Sequence, residues 1–174
     1  IVSHTYTDIG KVIFDKPITR IGERAFDKCD SLTSVTIPDS VTTIGEEAFS
    51  WCDSLKEFKG KFAADGGRCL INDGVLNAFA LGCGATQYTI PSSVTTIGDG
   101  AFWGCNSLKE FKGKFAADGG RCLIMGNTFI AYAYASGTTY TIPNSVTTIG
   151  DYAFSDCDSP TRVTIPASLT TIRA

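Results

Sequence analysis

Seven cysteines, one histidine and scattered carboxylates are the side chains in this 174-residue chain with the types for chemistry. A zinc centre needs converging Cys, His or carboxylate ligands, four of them in a structural site. His4 stands alone and no C-x-x-C occurs, so a multi-histidine site is excluded and no zinc signature remains. A serine or cysteine triad must find its base in that same histidine. Carboxylate pairs for glycoside hydrolysis face each other across about 5 to 9 Å. Glu46 and Glu47 are sequence neighbours, while Glu57 and Glu110 recur in identical surroundings, which reads as repeated surface decoration. Asp30-Ser31, Asp53-Ser54, Asn106-Ser107 and Asp158-Ser159 form a column of possible oxygen ligands. No D-x-D-x-D pattern for calcium accompanies them. Asx and Ser turns at the start of strands account for them equally well. No cofactor and no metal is expected.

Recurrence of these residues identifies the elements that carry them. A-F-x-x-C begins at Ala25, Ala48, Ala101 and Ala153, in steps of 23, 53 and 52; I-P begins at Ile37, Ile90, Ile142 and Ile165, in steps of 53, 52 and 23. The unit is therefore 23 residues, a length typical of short solenoid rungs. In one unit Leu32, Val35 and Ile37 place two apolar residues on one strand face with Thr36 opposite. Pro38 lacks an amide donor and ends the strand. Val41 and Ile44 point inward from a tight turn, Gly45 suits a positive φ, and Glu46–Phe49 leaves room for about one helical turn. Further rungs begin near Ile9, Leu55, Ala85, Leu108, Gly137 and Pro160.

Leu55–Ile71 recurs unchanged as Leu108–Ile124. The Asp73-Gly74 and Gly126-Asn127 turn pairs mark β-hairpins, Arg68–Ile71 with Val75–Ala80 and Arg121–Met125 with Phe129–Tyr134. These hairpins are expected to replace the A-F turn on the convex side. Phe129, Tyr132 and Tyr134 suit either hairpin core or an exposed patch.

Cys29, Cys52, Cys105 and Cys157 hold one repeat position, and Cys69 and Cys122 another. Rungs about 4.8 Å apart put Cys52 and Cys105 roughly 10 Å apart, beyond disulfide reach. Small buried thiols are therefore expected. Cys83 alone lacks a counterpart, Ser136 aligning with it, and is the candidate for a reactive or interchain thiol.

The chain is 43% hydrophobic with a net charge of −3, which leaves no electrostatic footprint for nucleic acid. No apolar run approaches the roughly 18 to 20 residues needed for a transmembrane segment. Outward strand positions change while the frame repeats: Thr33, Ser34 and Thr36 give way to Lys56, Glu57 and Lys59, and again to Lys109, Glu110 and Lys112. Trp51 and Trp103 stand where other copies are polar, which predicts partial exposure and a role in contact. Repeated threonines fit glycan or ice contact, and fit β-propensity equally well.

L-x-x-V-x-I-P-x-S-V-T-T-I-G-x-x-A-F-x-x-C resembles the BspA-like leucine-rich repeat family, across the chain from about Ile9. The resemblance implies an α/β, β-rich leucine-rich-repeat solenoid with a parallel ladder of about seven rungs. It also implies a bacterial secreted or cell-surface protein without shared catalytic residues. The expectation is one domain over 1–174, with 1–8 a lead-in and 9–174 repeats, from a longer protein. Non-enzymatic adhesion to a host protein or glycan follows, through Lys56, Glu57, Lys59, Lys109, Glu110, Lys112, Trp51 and Trp103. The alternative is a structural spacer displaying another domain.

Overall fold

The computed structural model describes residues 4–7, 11–14, 17–134, 137–155, 157 and 159–173; Ile9, Ser136, Asp156 and Asp158 lie outside them. The fold is a β-solenoid of about six turns with few helices. The chain divides into two compact units, residues 1–84 with 94–104, and residues 85–93 with 105–174.

In the first unit, strands Lys11–Phe14, Ser34–Ile37 and Glu57–Gly60 run parallel, with Lys11 opposite Ser34 and Ser34 opposite Glu57. Strand His4–Thr7, inside the expected lead-in, pairs antiparallel with Lys11–Phe14. A second ladder joins Arg20–Ile21 to Thr43–Ile44. Val35 and Ile37 are buried and Thr36 is exposed, as a two-residue period requires. The threonines after the strand tie one rung to the next. Thr42 Oγ1 donates to the Thr19 carbonyl of the rung before (3.0 Å), and Thr170 Oγ1 does the same to Thr147 (3.1 Å).

No helix forms in the A-F segment. Overlapping turns link the Ala25 amide to Gly22, Asp27 to Arg24 and Cys29 to Phe26. Every fourth residue is left-handed: Arg24 and Lys28 (φ 52° and 58°), Glu47 and Trp51 (φ 55° and 60°), then Gly100 and Gly104. A helix would satisfy its amides along its own axis. These turns aim them at the neighbouring rung, so Arg24, Phe26 and Lys28 donate to Glu46, Ala48 and Ser50 (3.1, 2.8 and 2.9 Å).

The unchanged segment diverts at Gly60, where φ is 79° and an added Cβ would meet the Ile37 carbonyl at 2.2 Å. A meander follows: Ala63–Ala64, a 3₁₀ turn at Asp65–Gly67, Cys69–Asn72, then Val75–Phe79. The short first strand adds to the expected hairpin. Val75–Leu76 then lies parallel to Thr96–Ile97, and the Phe79 amide bonds Ala101 (3.0 Å). The hairpin therefore fills the Thr-Thr-Ile slot as well as the A-F slot.

The second unit repeats this plan. Gln87–Ile90 pairs parallel with Glu110–Gly113, and Thr139–Thr141 with Arg162–Thr164. Its meander, Ala116–Ala117, Cys122–Met125 and Thr128–Tyr132, continues into Thr148–Ile149 and Thr171–Ile172. Phe129, Tyr132 and Tyr134 are buried, which settles them as core.

Stacked aromatics fill the rungs. Phe26 lies on Phe49 with centroids 5.2 Å apart, and Phe129 on Phe154 at 4.8 Å. Such pairs contribute about 0.5–1.5 kcal/mol beyond burial. All seven cysteines are thiols; Cys52, Cys69, Cys105 and Cys122 are buried, while Cys29, Cys83 and Cys157 are half-buried. The Cys52 thiol donates to the Phe26 carbonyl at 3.0 Å, and burial pushes its pKa up to about 12.

Gly45 differs from expectation. It is absent from the positive-φ residues. Its hydrogen instead faces the rung below, where a Cβ would lie 2.4 Å from the Glu23 nitrogen. Gly45→Ala should lower stability by about 2–3 kcal/mol in urea unfolding. Gly22→Ala, whose methyl meets nothing within 4 Å, should change it by less than about 1 kcal/mol. Equal effects would show that the close approach is unimportant.

The thiols set an alkaline limit. The unfolded Cys52 thiol ionises near its ordinary 9.0, whereas the folded one resists until about 12. Its contribution is thus complete below pH 9 and is lost as pH rises towards 12. Within that window the slope approaches about 1.4 kcal/mol per pH unit. Cys52→Ala should flatten the fall in urea midpoint over this range. An unchanged slope would remove this thiol as the cause.

Candidate functional site

The two charged sets lie on strands whose inward residues are fixed by the core. Phe58 and Phe111 are each 1% exposed, which turns Glu57 and Lys59, and Glu110 and Lys112, to the opposite face. In the first unit Lys59 Nζ lies 2.6 Å from Glu57 Oε1, beside Ser34 and Thr36 of the adjacent strand. In the second, Lys112 Nζ lies 3.6 Å from Glu110 Oε2 and donates to Gln87 Oε1 at 2.9 Å. Lys56 and Lys109 are exposed, with their amides bonded to Thr33 and Thr86 (3.0 and 2.8 Å). Each set carries two lysines and one glutamate. Pairs this exposed contribute about 0–1 kcal/mol, so an incoming ligand can exchange them at little cost.

The tryptophans share the first unit, with centroids 6.3 Å apart and planes tilted by 51°. Trp51 is half-buried. Trp103 corrects the expectation of partial exposure: it is buried, at 8%. It closes a cleft lined by Glu47, Phe49, Ser50, Asn77 and Phe79. Ser50 Oγ and Asn77 Oδ1 there are buried without a hydrogen-bond partner. Glu47 reaches outward to pair with Arg24 Nε. Nothing in a single repeat marks Ser50 or Asn77, because the cleft arises only when a hairpin rung stacks beside an A-F rung.

Two buried groups with nucleophilic potential, Cys122 and Tyr140, are held protonated. Tyr140 Oη donates to Cys122 Sγ at 3.2 Å, and the Arg121 guanidinium lies 5.1 Å from the Tyr140 ring centre. Burial raises the Cys122 thiol to about 11 and holds the Tyr140 hydroxyl well above its ordinary value. A protonated thiol is a poor nucleophile. Cys83 packs against the first unit's core. Asp30-Ser31, Asp53-Ser54 and Asn106-Ser107 occupy the middle of turns in which the Leu32, Leu55 and Leu108 amides bond the carbonyls of Cys29, Cys52 and Cys105. Ser159 Oγ bonds the Gly137 carbonyl. Among the described residues no group of three or more His, Cys, Asp or Glu converges as a metal site. No helix among them is long and apolar enough to cross a membrane.

Comparison with known proteins agrees with this rung geometry. The chain is similar to a solved leucine-rich repeat protein from Eubacterium ventriosum, at 26% identity and a TM-score of 0.53, over 94% of this chain and 49% of that one. A leucine-rich cell surface protein from Faecalibacterium prausnitzii is 25% identical, with a TM-score of 0.49, over 92% of this chain and 52% of that one. The chain thus spans about half the length of these solved proteins. A search of curated protein sequences finds no match. A model of the BspA type leucine-rich repeat region matches six copies, at residues 3–62, 76–116 and 127–174. With most of its length accounted for by those copies, the chain belongs to the BspA-type leucine-rich repeat family.

Proposed function

We propose that the chain is a non-enzymatic recognition module, secreted or displayed at a bacterial cell surface, that adheres to a host protein or glycan. Lys56, Glu57, Lys59, Lys109, Glu110 and Lys112 on the outward strand faces, with Trp51, form its contact residues. Trp103 supports Trp51 from beneath. One observation carries this reading: inward strand positions stay apolar and buried while outward ones change chemistry. Val35, Phe58, Tyr88 and Phe111 are each 1% exposed. Their outward neighbours run from Ser and Thr to Lys and Glu. Stability constrains the first set, and the second is free to serve recognition.

Trp51 adds a second support. It holds a left-handed backbone (φ 60°) at a slot that Gly104 fills in the next A-F rung. A bulky residue there is strained by about 1–2 kcal/mol, but the equivalent Lys28 is left-handed too (φ 58°), so the turn sets the backbone and the tryptophan side chain is what sets this rung apart. The family membership agrees with surface display and with a fold that is typically non-catalytic.

The test is saturable binding of the purified chain to immobilised host matrix proteins and glycans. Trp51→Gly should weaken binding by at least about 30-fold, as loss of a hot spot does. Gly relieves the strain, so thermal stability should stay within about 1 kcal/mol of the parent. Lys56→Glu with Lys59→Glu should also weaken binding with an unchanged circular dichroism spectrum. Absence of saturable binding across the panel would favour a spacer that displays another domain.

A further inference from the structure

The cleft closed by Trp103 holds two polar atoms that the recognition surface does not use. Ser50 is 4% exposed, and its Oγ has no hydrogen-bond partner. Asn77 Oδ1 is buried in the same cleft and is also unpartnered. Both residues belong to the first unit. The Ser50 hydroxyl faces the gap left by Gly100, where an added Cβ would lie 3.1 Å from Oγ and 3.3 Å from Trp103 Cδ2. Phe49, Phe79 and Ala101 supply apolar walls. Glu47 lines the cleft too, but its carboxylate is already paired with Arg24. Buried polar atoms are nearly always satisfied, so two exceptions in one cleft call for a partner from outside.

The turn that carries Trp103 is suited to admit one. The cleft is too narrow for a water molecule while the indole covers it. Glycines flank that indole at both left-handed positions of its turn, Gly100 and Gly104 (φ 69° and 76°). The earlier A-F turns hold Arg24 and Lys28, then Glu47 and Trp51, at those positions. Two glycines give this turn a backbone freedom that the others lack, which lets Trp103 swing aside.

The polar pair selects the guest. Asn77 Oδ1 only accepts, whereas the Ser50 hydroxyl can donate. An acetamido group answers both: its N–H meets Asn77, its carbonyl meets Ser50 and its methyl meets the phenylalanines. Trp51, half-buried with its ring centre 6.3 Å from that of Trp103, offers an aromatic face to an attached sugar ring. We propose that this cleft is a binding subsite for an N-acetylated hexosamine, with Trp103 as its lid. The inference rests on the recognition reading and narrows its ligand to a glycan.

The test titrates the chain with di-N-acetylchitobiose and with methyl N-acetylgalactosaminide. Tryptophan emission is the readout, because Trp51 and Trp103 are the chain's two tryptophans. A saturable change is expected from at least one sugar. None is expected from cellobiose, which lacks the acetamido groups, or from N-acetyl-lysine amide, which lacks the ring. Ser50→Ala should weaken the sugar by about tenfold, as loss of one buried hydrogen bond does. Its thermal midpoint should be equal or higher, since the variant removes an unpartnered hydroxyl. A lower midpoint with unchanged affinity would make the serine merely structural and overturn the proposal. So would no response to either sugar, or an equal response to N-acetyl-lysine amide, which would assign the cleft to acetylated side chains. Silence here with saturable binding to host proteins would sink this subsite alone; silence in both assays would sink the recognition reading with it.

Discussion

Each rung hands its backbone hydrogen bonds to the rung one repeat away, and every other feature follows from that exchange. The Thr42 amide bonds Thr19, Gly45 bonds Ile21, and Phe26 bonds Ala48, at 2.8 Å in each case. With the Ser34–Ile37 ladder, three sides of a rung are tied to its neighbours. A buried amide or carbonyl left out would cost about 1–3 kcal/mol, so the step between rungs is held closely at 23 residues. Hairpins are admitted because Val75–Phe79 restores the same ladder after its detour. Gly45 is required because the ladder draws two backbones closer than a side chain permits.

This arrangement separates two roles along each strand. Inward side chains meet equivalents above and below, so Phe26 stacks on Phe49 and Phe129 on Phe154. Outward side chains make few such contacts and can vary without disturbing the stack. Thiols fall on the inward side, where burial keeps Cys52 and Cys122 protonated and inert. The candidate contact residues fall on the outward side or, for Trp51, at a turn that the ladder holds in a left-handed conformation.

Much of this was legible in the residues. The 23-residue step, the alternation around Thr36, the two hairpins and the burial of Cys52, Cys69, Cys105 and Cys122 follow from local pattern, while Cys29 and Cys157 are only half-buried. Other features depend on what lies one repeat away. The A-F segment reads as a helical turn in isolation, but the neighbouring rung needs its amides and selects turns instead. Gly45 looks like a flexible turn residue, and only the stacked Glu23 nitrogen shows why a side chain is barred. Trp103 occupies a slot that is polar elsewhere, yet the cleft over Ser50 and Asn77 buries it.

The 23-residue step itself is open to direct measurement by excision. Removing Asp30–Cys52, 23 residues, joins Cys29 to Asp53 and restores the C-D-S-L sequence at the junction. Every amide would then face a carbonyl of an equivalent rung. The shortened chain should keep the parent's β-sheet circular dichroism per residue and a cooperative thermal transition. Removal of one residue fewer, Asp30–Trp51, puts the ladder out of step and should abolish that transition. Unfolding of the first variant, or equal stability of the two, would contradict a fold governed by rung-to-rung register.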